Sequence, residues 1–278
     1  MVILNEIEEV FIETNGIKLH TIIVGSGEPL ILLHGFPDFW YSWSKVIPLL
    51  KDDFKLVIPD MRGYNLSDKP EGVENYKVEI LLEDIKGLGE ALRLGKFCLA
   101  GHDWGGVLAW IFAEKYPELL NKLIILNAPH HKIFAQKLKT DKDQQKASFY
   151  IFEFYKPNGE KFIVENDYKV LRESVFNKNF SDSDREKYLE AWSQPGAIVG
   201  GVNYYRANRG FEEWKGIIEV PTLVLWGMKD IALRPQLLEG LSDYVKDLRI
   251  ERHDKSSHWI NHDAPEFVSS KIKEFIQN

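Results

Sequence analysis

Apolar and polar positions alternate between two regimes along this chain. Short runs are apolar at every position: Leu30-Ile31-Leu32-Leu33, Leu56-Val57-Ile58, Phe97-Cys98-Leu99-Ala100, Leu123-Ile124-Ile125-Leu126 and Leu223-Val224-Leu225-Trp226. A run with no polar face suits a strand covered on both sides, the condition of strands in a parallel sheet. Between these runs lie stretches with apolar residues at every third and fourth position, notably Ile80 to Leu94, the period of an amphipathic helix. Val10-Phe11-Ile12 and Leu19 to Val24, joined around Asn15-Gly16, read as an antiparallel hairpin. Together they predict an α/β fold, a mostly parallel sheet flanked by helices, with its site at the C-terminal ends of the strands.

Residues 130–215 break the pattern. No comparable apolar run occurs there, and aromatics crowd in, among them Tyr150, Phe154, Tyr155, Phe176, Tyr188, Trp192, Tyr204 and Tyr205. Charged residues interleave through Lys137 to Lys146 and Asp182 to Lys187. The reading is a helical lid domain, 130–215, inserted into a core domain made of 1–129 and 216–278. The lid's aromatic side would close over the strand ends, although most of these rings also suit a small core of the lid's own.

Composition narrows the class. The chain has 278 residues, enough for one domain with an insertion, and its 44% hydrophobic and 28% charged content is ordinary for a globular protein. A net charge of −7 argues against a nucleic-acid partner and offers no basic membrane patch. One cysteine, Cys98, excludes an intramolecular disulfide framework, and its place in an apolar run predicts a buried, inert thiol. The acidic N-terminal segment from Met1 to Glu9 lacks the features of a signal peptide, and no apolar stretch is long enough to span a membrane, so a cytoplasmic location is expected. Oligomeric state, a homodimer included, is not set by these features.

The chemistry concentrates in Gly101-His102-Asp103-Trp104-Gly105-Gly106, which follows one apolar run and opens the helical pattern Val107 to Ala113. Strand, Gly-x-nucleophile-x-Gly turn and helix make a nucleophile elbow, which exposes one side chain above a sheet. Here that side chain is a carboxylate, where serine is usual. Serine suits acyl carbonyls; on a saturated carbon it would form an ether that cannot be hydrolysed away. Aspartate is ionised at neutral pH and can displace a leaving group from sp³ carbon, leaving an ester that water can cleave. An elbow at Asp103 therefore points to epoxides or alkyl halides.

In chain order, His34-Gly35-Phe36-Pro37, Asp60-Met61-Arg62-Gly63-Tyr64-Asn65-Leu66-Ser67, the elbow, Asn203-Tyr204-Tyr205-Arg206, Trp226-Gly227-Met228-Lys229-Asp230 and Ser257-His258-Trp259 resemble the α/β-hydrolase superfamily, specifically its epoxide hydrolase family. Asn65 departs from the glycine common there. The resemblance implies that Asp103 is the nucleophile, His258 the general base and Asp230 the acid that orients it. Some relatives carry that acid after the preceding strand, where this chain has Asn127. The backbone amides of Phe36 and Trp104 would form an oxyanion hole, with a cis bond between Phe36 and Pro37. Tyr150 and Tyr205 on the lid would hold the epoxide oxygen during ring opening, with Tyr155 and Tyr204 as the neighbours most easily confused with them. No cofactor or metal is implied, and the partners are an apolar epoxide and water. Asp243, Asp247, Asp254 and Asp263 read as surface charges, and His34 and His102 as structural.

Two alternatives use the same residues. A haloalkane or haloacid dehalogenase would share the Asp, His and second acid, but would need N–H donors for a halide, from Trp104 with Trp192 as its partner. A catalytically silent ligand-binding protein would keep the fold without turnover. A zinc site built on His258 and His262 has neither a metalloprotease glutamate nor a cysteine pair to support it.

Overall fold

Asn15 and Gly16 both take positive φ, 47° and 75°. That is the turn chemistry a tight hairpin requires, and it folds β1 (Glu8–Thr14) back on β2 (Ile17–Val24). The computed structural model describes residues 7–211 and 214–278; the first part of the acidic N-terminal segment and two positions near the end of the proposed lid lie outside them. The remaining strands are β3 (Glu28–Leu33), β4 (Phe54–Pro59), β5 (Phe97–His102), β6 (Leu120–Leu126), β7 (Thr222–Gly227) and β8 (Leu248–His253). They form an eight-stranded sheet in the order β1-β2-β4-β3-β5-β6-β7-β8. Pairing is parallel from β4 onward across the sheet, while β1 with β2 and β2 with β4 are antiparallel.

The helices are α1 (Ile47–Leu50), α2 (Val78–Ala91), α3 (Trp104–Lys115), α4 (His131–Thr140), α5 (Lys142–Ala147), α6 (Phe149–Phe154), α7 (Lys161–Val175, interrupted at Glu165–Tyr168), α8 (Asp182–Ser193), α9 (Ala197–Ala207), α10 (Ile260–Asp263) and α11 (Pro265–Gln277). Among the described residues, none is long and apolar enough to cross a membrane. The wholly apolar strand runs follow from coverage on both faces. Ile31, Leu33, Val57, Leu99, Leu123, Ile125 and Val224 pack on the side of α2 and α3. Their neighbours Leu30, Leu32, Leu56, Cys98, Ala100, Ile124 and Leu223 pack on the side of α1 and α11.

From β3 the chain crosses to β4 on one side, and from β5 it proceeds to β6, β7 and β8 on the other. The loops leaving adjacent β3 and β5 therefore diverge, and the crevice between them is where ligands bind in open α/β sheets. Helices α4 to α9 all lie between β6 and β7 and sit over this end of the sheet. Their aromatics do not form a self-contained lid core. Phe176, Phe180, Tyr188 and Trp192 pack with Phe39 and His262, which belong to segments outside the lid helices. Tyr150, Phe154 and Tyr205 pack instead with Phe36 and Trp104 around the elbow. Asn65 takes φ 39°, a conformation asparagine tolerates better than most residues, and its amide donates to Oδ2 of Asp60 at 2.7 Å.

Candidate active site

Asp103 stands between the end of β5 and the start of α3 with φ 51° and ψ −123°. No residue but glycine adopts such a backbone readily, so the surrounding packing must impose it. Three glycines make that packing possible. A Cβ on Gly101 would strike the backbone of Gly105, one on Gly105 the carbonyl of His34, and one on Gly106 the Cβ of Ala128. A Cβ on Gly35 would overlap the Asp103 carboxylate itself. The elbow thus presses the carboxylate against the loop after β3.

That loop contains the cis Phe36–Pro37 bond expected from the motif. The Phe36 amide donates to Oδ1 of Asp103 at 2.8 Å, and the Trp104 amide also donates to this carboxylate. Burial raises the Asp103 pKa above its ordinary value; His258, His102 and the two amides oppose the rise by stabilising the ionised form.

His258 comes from the loop between β8 and α10. Its Nδ1 lies 2.7 Å from Oδ2 of Asp230, and its Nε2 lies 3.6 Å from Oδ2 of Asp103. Burial pulls the His258 pKa down, but Asp230 and Asp103 outweigh it and carry the value up to about 9. Asp230 is buried at the end of β7, where its Oδ1 accepts the amides of Ala232 and Leu233 at 2.9 and 2.8 Å. Asn127, the position of the alternative acid, supports it. The Asn127 amide donates to Oδ2 of Asp230 at 2.8 Å, and its Oδ1 accepts the Gly227 amide at 2.8 Å.

The loop that carries His258 is fixed by residues outside the expected catalytic set. Asp263 is not a surface charge. It is half-buried, and its Oδ2 accepts the Ser257 amide and hydroxyl at 2.8 and 2.6 Å. Its Oδ1 accepts the side-chain amides of Asn177 and Asn179 in the lid at 3.0 and 2.7 Å. Burial opposes ionisation of Asp263, but these donors outweigh it and hold its pKa below the usual carboxylate range. His102 donates through Nε2 to the His258 carbonyl at 2.9 Å, while its Nδ1 stands 3.3 Å from the buried carboxylate of Asp38. Tyr188 from the lid donates to Asp38 at 2.8 Å. The spacing from Ser257 to Asp263 spans the start of a helix, a signal that could have exposed the Asp263 contact in advance.

A cavity of about 250 Å³ opens above Asp103. Tyr150, Tyr205 and Trp104 line it at the reacting end, with Phe134, Leu138, Ile151 and Phe211 among the apolar residues around them. The rings of Tyr150 and Tyr205 are 6.2 Å apart, and the Trp104 ring stands edge-on to Tyr205 at 5.1 Å. Burial first, and then the negative charge of Asp103, push the Tyr150 pKa far up; Tyr205 is likewise raised by burial, Tyr150 and Asp103. Both phenols are therefore protonated donors at neutral pH.

The neighbouring tyrosines are placed elsewhere. Tyr204 is buried and donates to the Arg62 carbonyl at 2.8 Å, and Tyr155 lies under the Arg209 guanidinium. His34 accepts the Met61 amide at 2.9 Å through Nε2. The Trp192 indole donates to the Pro37 carbonyl at 2.7 Å, so it has no N–H to offer a halide beside Trp104. His262 is bonded to Tyr188, and among the described residues no group of three or more His, Cys, Asp or Glu is arranged to hold a metal.

A family model described as alpha/beta hydrolase fold matches residues 28–265. AB hydrolase superfamily protein YfhM of Bacillus subtilis (strain 168) is 39% identical over 96% of this chain and 97% of its own length. Epoxide hydrolase 4 of Mus musculus is 36% identical over 96% of this chain and 78% of its own length. The chain belongs to the epoxide hydrolase family. An epoxide hydrolase from Bacillus megaterium, crystallised with an inhibitor, has the same fold. Its TM-score is 0.92 at 34% identity, covering 97% of this chain and 100% of that one. The likeness to that epoxide hydrolase therefore extends over the strands of the sheet and helices α4 to α9 alike.

Proposed function

We propose that this epoxide hydrolase converts apolar epoxides to vicinal diols in two covalent steps, as a cytoplasmic enzyme with no cofactor. Oδ2 of Asp103 attacks a ring carbon while Tyr150 and Tyr205 donate hydrogen bonds to the epoxide oxygen. As the C–O bond breaks, the oxygen takes a proton from a phenol and an alkyl ester is left on Asp103. His258, oriented by Asp230, then removes a proton from water as it attacks Cγ of the ester. The resulting oxyanion on Oδ1 lies against the amides of Phe36 and Trp104; as it collapses, the departing diol oxygen takes the proton from His258, and the Asp103 carboxyl so formed gives the second water proton back to the phenolate. Residues 130–215 act as the lid domain that closes the apolar cavity over this chemistry, and 1–129 with 216–278 form the core domain that supports it.

The observation that carries this reading is the pair of neutral phenols facing a carboxylate nucleophile across an apolar cavity. An epoxide oxygen leaves as an alkoxide and needs a proton, which a phenol can supply; a halide needs none. A substrate panel of aryl and alkyl epoxides beside chloro- and bromoalkanes tests it. Diol from epoxides is expected. Halide release without diol would support dehalogenation, and ligand-induced thermal stabilisation without consumption of any substrate would support a silent binding protein.

A further inference from the structure

Arg206 follows Tyr205 on α9, and its side chain reaches across to the end of α6. Its Nε donates to the Phe154 carbonyl at 2.9 Å, and Nη2 donates to the Lys156 carbonyl at 3.2 Å and to Oε2 of Glu160 at 2.5 Å. Nη1 reaches Oδ1 of Asn203 at 3.4 Å. Phe154 is the last residue of α6, where helix carbonyls lose their intrahelical partners. The planar fork of an arginine satisfies several such acceptors with fixed directions, which a flexible ammonium does not.

The two helices joined in this way carry the two phenols. Tyr150 lies one turn before Phe154 on α6, and the Phe154 ring packs on Tyr150 at 5.5 Å and on Tyr205 at 4.9 Å. Helix α6 has six residues, too few to be stable by itself. It also exposes Phe149 and Phe152, at 62% and 53%, so only one flank is packed. Ring packing alone resists separation but allows sliding, whereas directional bonds at the helix end fix its register against α9.

We propose that Arg206 is a positioning residue for ring opening: it clamps α6 to α9 and so sets the spacing of the Tyr150 and Tyr205 hydroxyls above Asp103. This rests on the role assigned above to the two phenols. Two donors must converge on one oxygen, and a misplacement of about 1 Å can cost on the order of 100-fold in rate.

The test is single-turnover kinetics of the full chain with an aryl epoxide, following formation and decay of the Asp103 adduct by mass spectrometry, with melting temperatures measured in parallel. Arg206→Met keeps the aliphatic stem and removes the fork. Adduct formation should slow roughly 10- to 100-fold, with decay close to wild type. Arg206→Lys should recover part of the loss. In a Tyr205→Phe background the cost of Arg206→Met should largely vanish, because the contact acts through that phenol. Glu160→Gln, which leaves the carbonyl contacts in place, should slow formation in the same direction by less, and it carries the test if Arg206→Met does not fold. Formation and decay slowed equally, formation unchanged, or a full cost persisting in the Tyr205→Phe background would overturn the role of Arg206. If Tyr205→Phe itself leaves formation unchanged, the phenol assignment fails and the inference falls with it.

Discussion

The Phe36 amide holds Oδ1 of Asp103 at 2.8 Å, while Oδ2 of the same carboxylate faces Nε2 of His258 at 3.6 Å. The two oxygens are therefore not equivalent before any substrate arrives. In the proposed mechanism, Oδ1 already occupies the place where negative charge develops when the ester is attacked. Oδ2, on the side of His258, is in the proposed mechanism the oxygen that forms the bond to carbon. A carboxylate arranged in this way needs no rearrangement between its two steps, which is the condition for preorganised electrostatic stabilisation.

Replacing His258 with Gln separates the steps. Ring opening does not require a base, so the variant should still alkylate Asp103, but the ester should persist. The expected outcome is a stoichiometric mass adduct of substrate on the protein and a turnover rate lowered by about 10²- to 10⁴-fold, the usual weight of general base catalysis. Steady turnover at the wild-type rate would contradict the role of His258.

The two steps should also differ in pH dependence. In the free enzyme His258 titrates at about 9 because Asp230 and Asp103 outweigh the effect of burial. Alkylation removes the negative charge of Asp103, and its share of that upward shift goes with it. The His258 pKa should therefore fall on forming the ester. Only neutral His258 can act as base, so ester decay should rise with pH through this lowered value and level off before pH 9. Adduct formation should show no matching rise, since it does not depend on neutral His258. Rapid-quench measurement of both rates across pH checks this; a decay limb centred at or above 9 would contradict it.

The same shift bears on stability. A folded-state pKa raised from 6.5 to about 9 contributes stability that is fully present below 6.5 and lost as pH rises through 9. The difference in melting temperature between wild type and His258→Gln should therefore move against the wild type over that window. A difference independent of pH would mean that His258 does not titrate there.

Much of this site could be read from the residues, and the reasons are specific. The strand runs were visible because both faces of the sheet are covered, which leaves no polar position from Leu30 to Leu33 or from Leu123 to Leu126. The elbow was visible because Gly101, Gly105 and Gly106 each sit where a Cβ would strike neighbouring atoms, a constraint that fixes sequence as well as shape. Asp263 was misread because two of its four hydrogen bonds come from Asn177 and Asn179, which are more than 80 residues away in the chain, and the other two come from Ser257 across a short loop. Asn127 was excluded as an acid without any hint that its amide would brace Asp230. The antiparallel pairing of β2 with β4 also left no local mark, because pairing across the sheet depends on topology and not on the apolar period of either strand.

The phenols give the sharpest distinction between epoxide and halide chemistry. Tyr205→Phe should lower the rate of adduct formation by roughly 10²-fold, and the double Tyr150→Phe, Tyr205→Phe variant should lose more, toward the upper range of general acid effects. Ester decay should be much less affected, because neither hydroxyl is required once the ring is open. A double variant that forms the adduct as fast as wild type would remove the argument for epoxide specificity.

The most direct measurement of the covalent route is a single turnover in heavy-oxygen water. If water attacks Cγ of the Asp103 ester, the heavy atom should appear in the side chain at position 103, and the first diol should be unlabelled, carrying the epoxide's own oxygen and one taken from the protein. Heavy oxygen in that first diol, with the Asp103 peptide unlabelled, would mean that water adds directly to the epoxide and would contradict the covalent mechanism.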